Sequence, residues 1–361
     1  MESVERVAEA VLYEGYLLYP YRRSAMKNQQ RWTFGGVYPR LYSEANHDDD
    51  PWSMQTQCLV LGNEHTTLEV KVRFLQVVDR KVAQQVNGAM CQVEALRVGE
   101  QVHRPWEEAV ERAVCLEGAR DALPVVLGDL IGGSRQVAID VPGGREDEPL
   151  QGPDGTTVGA ISREWQALQG TVEVWAEPLD TDLEGASIPL PCFRLTTRIT
   201  NTTPFARANR EPVDRLRQVA LRRAFVSTHT ILRVQGGEFI SLLEPPAAFR
   251  PAAERCQNLH TWPVLAGEQG ERNTILSSPI ILYDYPQIAA ESPGNLFDAT
   301  EIDELLTLSI MTMTDEEKQE MRESDARGRE ILERTEALTT EQLMKLHGVV
   351  RSLQTLREED T

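Results

Sequence analysis

The chain holds 361 residues, 41% of them apolar and 26% charged, and its 56 acidic against 37 basic side chains give a formal charge of −19. This is the composition of a globular chain, long enough for one large domain or two ordinary ones. The charge argues against nucleic acid as a partner, because a phosphate backbone repels an acidic surface and rewards clustered Lys and Arg.

Glu2 and Glu5 stand where a secretory signal would carry basic residues, and no apolar h-region follows them. Cys58, Cys91, Cys115, Cys192 and Cys256 are odd in number and widely spaced, which reads as reduced thiols in a cytoplasm. The most apolar runs, Pro124 to Leu127 and Pro279 to Leu282, fall far short of the roughly 20 residues a spanning helix needs, so no membrane insertion is expected.

Val4, Val7, Ala8, Val11 and Leu12 recur at helical spacing and predict a short N-terminal helix ended or bent at Gly15. From Tyr16 to Tyr42 the pattern dissolves into rings and guanidinium groups, broken by Pro20, Gly35, Gly36 and Pro39, which reads as structured loop. Within it Tyr19, Tyr21, Arg22, Arg23, Arg31, Trp32 and Tyr38 are the candidate binding residues, because aromatic side chains and Arg give large contact area at little rotamer cost.

Gln57 to Arg80 alternates, with Leu68, Val70, Val72 and Phe74 on one side and Glu69, Lys71 and Arg73 on the other, the period of a strand. Trp106, Ala109, Val110, Ala113 and Val114 are spaced as on a helix over Pro105 to Val114. Gly143, Gly144, Gly152, Pro153 and Gly155 mark a polar loop suited to an insertion or subdomain break. Strands resume over Ala167 to Glu177 and Phe193 to Thr200, and Gly236-Gly237 predicts a hairpin joining Ala224 to Val234 with Glu238 to Leu243.

The end of the chain is acidic and helical. Residues 291 to 361 hold 18 acidic and 8 basic side chains, a net of −10. Thr314 and Thr339 open capping boxes, and Leu343, Leu346, Val349, Val350, Leu353 and Leu356 form one apolar stripe. The expected fold is therefore α+β: a β-rich body over residues 1–290, with an antiparallel sheet or sandwich, followed by an acidic C-terminal helical segment over 291–361.

No catalytic signature emerges. His47 and Asp48, Asp49 and Asp50 lack the alternating acids of a calcium loop, and the other histidines are isolated, which reads as structural. Cys256 and His260 are four apart, but Pro245, Pro246, Pro251 and Pro263 oppose a helix that would align them. Six histidines and five cysteines spread thinly oppose a soft-metal site, so no metal or cofactor is expected. Arg207, Arg210, Arg215, Arg217, Arg222 and Arg223 form a basic stretch that would serve an anion or acidic partner, or pair with the chain's own acidic helices.

The stretch VLYEGYLLYPYRRSAMKNQQRWTFGGVYPRLYSE from Val11 to Glu44, with SPIILYDYPQIAAESPGNLFDATEIDELL from Ser278 to Leu306, resembles an uncharacterised family of bacterial cytoplasmic proteins encoded near nickel-iron uptake hydrogenases. The resemblance implies an accessory or assembly role and carries no active-site residue. The expected function is protein–protein binding, with a hydrogenase component as the partner. The alternative is an enzyme whose site gathers Tyr19, Arg22, Arg31 and a carboxylate such as Glu44.

Overall fold

The computed structural model describes residues 2–14, 34–46, 50–99, 101–116, 125–179, 190–205 and 213–287, together with part of 313–337. Helix α1 spans Glu2–Glu14 and α2 Arg40–Asn46. The first strands are β1 Ser53–Leu61, β2 Thr67–Val86, β3 Ala89–Gln92, β4 Leu96–Val98, β5 Gln101–His103, β6 Trp106–Leu116 and β7 Val125–Val126. Next come β8 Arg135–Val141, β9 Gly144–Gln151, β10 Thr157–Trp165, β11 Leu168–Leu179, β12 Cys192–Asn201 and helix α3 Val213–Leu221. The last are β13 Val226–Gln235, β14 Glu238–Ile240, the short helix α4 Arg250–Ala253, β15 Trp262–Leu265 and β16 Thr274–Ser278.

All but two of these strands build two antiparallel sheets face to face, and β4 and β5 pair with each other as a separate two-stranded ribbon. The smaller runs β14-β1-β12-β11-β8, and the larger runs β15-β16-β13-β2-β10-β9, with β3, β6 and β7 also paired to β2. Strand β2 is the spine of the larger sheet. On one edge β13 pairs with its first half, Thr67 to Leu75, and β10 with its second half, Val78 to Gln84. On the other edge β6 follows it from Val70 to Arg80. The alternation read from the sequence decides what β2 faces: Leu68, Val70, Val72 and Phe74 enter the core between the sheets, with Met54, Cys58 and Val60 of β1, Val172 and Val174 of β11, and Leu195 and Ile199 of β12. Phe74 and Phe225 meet there with ring centroids 4.8 Å apart.

The opposite face of β2 is covered as well. Helix α1 packs Val4, Val7, Ala8 and Val11 against Ile231, Val264 and Leu276, as its spacing requires. Beside it Leu12, Tyr38, Tyr42 and the α3 residues Leu216, Ala220 and Leu221 cover Leu75, Val77 and Val226. The β-rich α+β body is thus a sandwich with a partial helical layer on one sheet. Near the C-terminus, Asp315, Lys318, Gln319, Arg322 and Leu332 are helical, Lys318 N donates to Thr314 O at 2.9 Å, and Glu336 pairs with both Lys318 and Arg322. The stripe from Leu343 to Leu356 and the Thr339 box lie outside the described residues.

Three local expectations are corrected. The helix expected over Pro105 to Val114 is strand β6, because pairing along eleven residues of β2 outweighs a helical spacing that Val110 and Val114 satisfy equally well as β-branched strand residues. The polar glycine stretch is a hairpin inside the larger sheet: β9 and β10 pair from Gly144/Trp165 to Gln151/Thr157 around a turn closed by Gly152 N to Thr156 O. The Gly236-Gly237 hairpin is a corner. Gly236 has φ +76°, and the chain leaves β13 in one sheet to enter β14, which pairs with β1 in the other. A positive φ serves a tight turn and a sheet-to-sheet crossing alike.

Candidate functional site

Of the seven binding residues read from the sequence, Tyr19, Tyr21, Arg22, Arg23, Arg31 and Trp32 lie outside the described residues. Tyr38 is described and is buried, 2% exposed, which removes it from any outward-facing surface. Its hydroxyl accepts from Arg217 Nη2 at 2.9 Å, and its ring packs 5.6 Å from that of Tyr42, itself 3% exposed. Tyr42 donates to Asp50 Oδ2 at 2.9 Å, and Arg217 closes the group with Nε and Nη2 on the two oxygens of Asp50 at 3.1 and 3.0 Å. Burial raises the Tyr42 pKa well above the ordinary tyrosine value, and the Asp50 charge adds to it, so this phenol remains a donor. The rings cover the sheet, and the polar tips are consumed by one another.

The same group answers the reading of the arginine stretch. Arg217 pairs with Asp50, and Arg222 with Asp79 and Glu107 at 3.1 and 3.3 Å. Arg223 donates to Gln166 Oε1 at 2.8 Å. The partners of its described arginines, among the described residues, are carboxylates and an amide of the β-rich body. Arg207 and Arg210 lie outside the described residues, as do His47, Asp48 and Asp49. Glu44, the carboxylate of the enzyme alternative, accepts from Arg40 Nε at 2.7 Å on the surface, and Arg40 stacks 4.5 Å from the Trp52 ring.

Three of the cysteines are held as thiols by burial. Burial pushes the Cys192 and Cys256 thiols up to about 11, and Cys58 is fully buried with its pKa raised for the same reason. Cys256 Sγ donates to Ala252 O at 3.7 Å, and burial lowers the His260 pKa. Among the described residues, no group of three or more His, Cys, Asp or Glu is placed to hold a metal, and no helix is long and apolar enough to cross a membrane.

What stands out is apolar surface at one edge of the sandwich. Strand β15 ends the larger sheet, and residues 279–285 return along it, from Trp262 opposite Ser278 to Tyr285 N donating to Leu265 O at 2.7 Å. Along this return Ile280 and Leu282 turn in beneath α1, while Ile281 is 71% and Tyr283 84% exposed. Trp262, on β15, is 44% exposed. The end of the aromatic N-terminal segment joins them. Phe34 is 47% exposed, and Gly35 packs so closely on Pro279 that a Cβ there would lie 2.5 Å from the ring. Ser227 N and Thr228 N donate to the Phe34 and Gly35 carbonyls and fix this strap across the start of β13. Exposed Leu259 borders the band from the smaller sheet, where it exchanges two backbone bonds with Gln55. Leu243, also exposed, is held nearby through Ser241, whose hydroxyl donates to Asp284 at 2.5 Å.

This edge does not invite an added strand. Pro263 removes one donor, Leu265 N is taken by Asp284 Oδ1 at 2.8 Å, and Leu265 O by Tyr285. The side chains are the available contact. Sequence reasoning found Phe34 as part of its aromatic segment and missed Trp262, Ile281 and Tyr283, whose only signal is a ring and a branched residue beside prolines.

The fold and the band define a two-sheet antiparallel sandwich with an apolar edge. Comparison of the chain with known protein families, with curated proteins and with solved structures returned no match.

Proposed function

We propose that this protein is a non-catalytic accessory or assembly protein that works by binding a protein partner through the band of Phe34, Trp262, Ile281 and Tyr283. The observation that carries the reading is that Trp262 on β15 and Ile281 and Tyr283 on the return beside it stay exposed along an edge whose backbone is already satisfied. Exposed Trp, Tyr and branched aliphatic side chains are the residue types that anchor interfaces, and apolar surface left exposed along one edge is a candidate for cover by a partner. A hydrogenase component is the partner proposed, from the family resemblance of Val11 to Glu44 and Ser278 to Leu306, and the band lies where those two stretches meet.

The test is affinity purification from the native host with wild type and the triple variant Trp262→Gln, Ile281→Asn, Tyr283→Asn. Because Ile281 and Tyr283 are largely exposed, each of these two changes alters stability by only about 0.5 kcal/mol. The expected result is a folded variant that no longer retains the hydrogenase subunit held by wild type. Retention of the same subunit by both proteins overturns the assignment of the surface. The N-terminal contribution is tested apart, with Arg22, Arg23 and Trp32 changed to Ala.

A further inference from the structure

Beneath α1 the sheet carries a buried histidine that is left half satisfied. His229 is fully buried, its Nδ1 lies 3.2 Å from the Ser227 carbonyl, and its Nε2 has no hydrogen-bond partner. With Nδ1 donating to that carbonyl, the neutral ring leaves Nε2 as an unused acceptor. His229 precedes Ile231 by two residues, so strand alternation places both on the face that α1 covers. The chain reaches this geometry through a bulge in β13 between Val226 and His229, with Ser227 at φ +52° and its hydroxyl donating to the Val11 carbonyl of α1 at 3.3 Å. A bulge with a non-glycine residue in the left-handed region is strain that the surrounding contacts must hold.

The charges around the ring come from three elements. Helix α1 supplies Glu5, β2 supplies Lys71 and Arg73, and β6 supplies Glu111; Arg6 and Glu9 of α1 are exposed, and β16 contributes Leu276 and no charge. Arg233, further along β13, is paired with Glu69. Glu5 accepts from Lys71 Nζ at 3.0 Å and from Arg73 Nη1 at 3.4 Å, and Arg73 Nε donates to Glu111 at 2.7 Å. The Arg73 hydrogen bond holds Glu111 below the usual carboxylate range. Two cations and two anions therefore balance across α1, β2 and β6 while the imidazole is neutral. A proton on His229 places a third positive charge in a covered space where no anion among the described residues is left to meet it.

We propose that His229 is an acid-operated latch: neutral, it lets α1 stay docked on the sheet, and protonated, it releases α1 and bares Ile231, Val264 and Leu276. Burial first, and then the Arg73 charge, depress the ring from 6.5 to about 4, which agrees with a docked state that excludes the proton. The sign follows. Between these two values the docked state binds fewer protons than the released one, so docking is complete above about pH 6.5 and weakens as pH falls toward 4. The latch is independent of the partner-binding reading.

The experiment is hydrogen exchange of the full chain at pH 7 and pH 4.5, corrected for intrinsic rates, in wild type, His229→Gln and Glu5→Gln. In wild type the α1 amides are expected to lose protection on the order of 50-fold at pH 4.5, while β11 and β12 keep theirs. His229→Gln abolishes that pH dependence. Glu5→Gln weakens α1 protection at pH 7 and keeps the dependence. Should His229→Gln fold poorly, the imidazole C–H resonances of wild type serve, since the His229 titration must track α1 release. The proposal fails if α1 opens equally in His229→Gln, if the ring titrates with α1 still docked, or if β11 and β12 lose protection in the same step.

Discussion

At the scale of single residues, Tyr38, Tyr42, Asp50 and Arg217 show how an apparently outward-facing aromatic segment spends its polar groups. The Asp50 carboxylate receives Arg217 and Tyr42, and the same guanidinium reaches the Tyr38 hydroxyl, so each side chain holds another in place. Removing the arginine leaves a half-buried carboxylate and a buried hydroxyl short of donors. We predict that Arg217→Ala lowers unfolding free energy by about 1–3 kcal/mol, measured by urea denaturation, with Arg217→Lys recovering less than half because an ammonium cannot span both oxygens and the phenol. No loss in Arg217→Ala would show that solvent replaces these bonds without cost. Asn201 has the same character. Its amide donates to the Val37 and Arg223 carbonyls at 2.8 Å each and its oxygen accepts from Thr203 N, pinning three segments at one buried point.

Elements follow from such pins as much as from periodicity. The strap of Phe34 and Gly35 has no regular hydrogen-bonded structure of its own, yet it is fixed by two bonds to β13 and by its approach to Pro279. Gly35 has φ +58°, where a side chain is strained, and any Cβ would strike the Pro279 ring. Gly35→Ala is expected to destabilise by about 1–3 kcal/mol and to weaken partner capture as Phe34 shifts out of the band, read by thermal unfolding and by pull-down on one sample. Full capture by a destabilised variant would exclude Phe34 from the contact. Strand β6 teaches the complementary lesson. Its spacing fits two periods, and only the neighbour it pairs with chooses between them.

For the whole molecule, the two sheets share one core, and its centre is the Phe74–Phe225 contact between β2 and the turn that leads into β13. Truncating a fully buried ring removes transfer free energy and leaves a cavity. Phe74→Ala is predicted to cost about 3–5 kcal/mol, with chemical denaturation monitored by far-ultraviolet dichroism as the check. A loss below about 1 kcal/mol would mean that the sheets collapse around the void and that the core is looser than its burial implies. The same frame explains why the apolar edge persists: β15 and the 279–285 return are anchored through Ile280 and Leu282 on one side, so their alternate residues are committed to solvent.

The sequence by itself determined the antiparallel β-rich body, the faces of α1 and β2, and the positions of β11, β12 and β13, because local alternation and three-four spacing respond directly to the side that is buried. The helix start after Thr314 belongs to the same class, since its signal lies within four residues. Tertiary structure alone decided that Gly236 turns a corner between sheets, that β6 is extended, and that Tyr38 points inward. Likewise, Glu5, Arg73, Glu111 and His229 are far apart in the chain, and so are Phe34, Trp262 and Tyr283. Their placement in space depends on strand order and register, which are set by the summed fit of two sheets and leave no trace in the spacing of neighbouring residues.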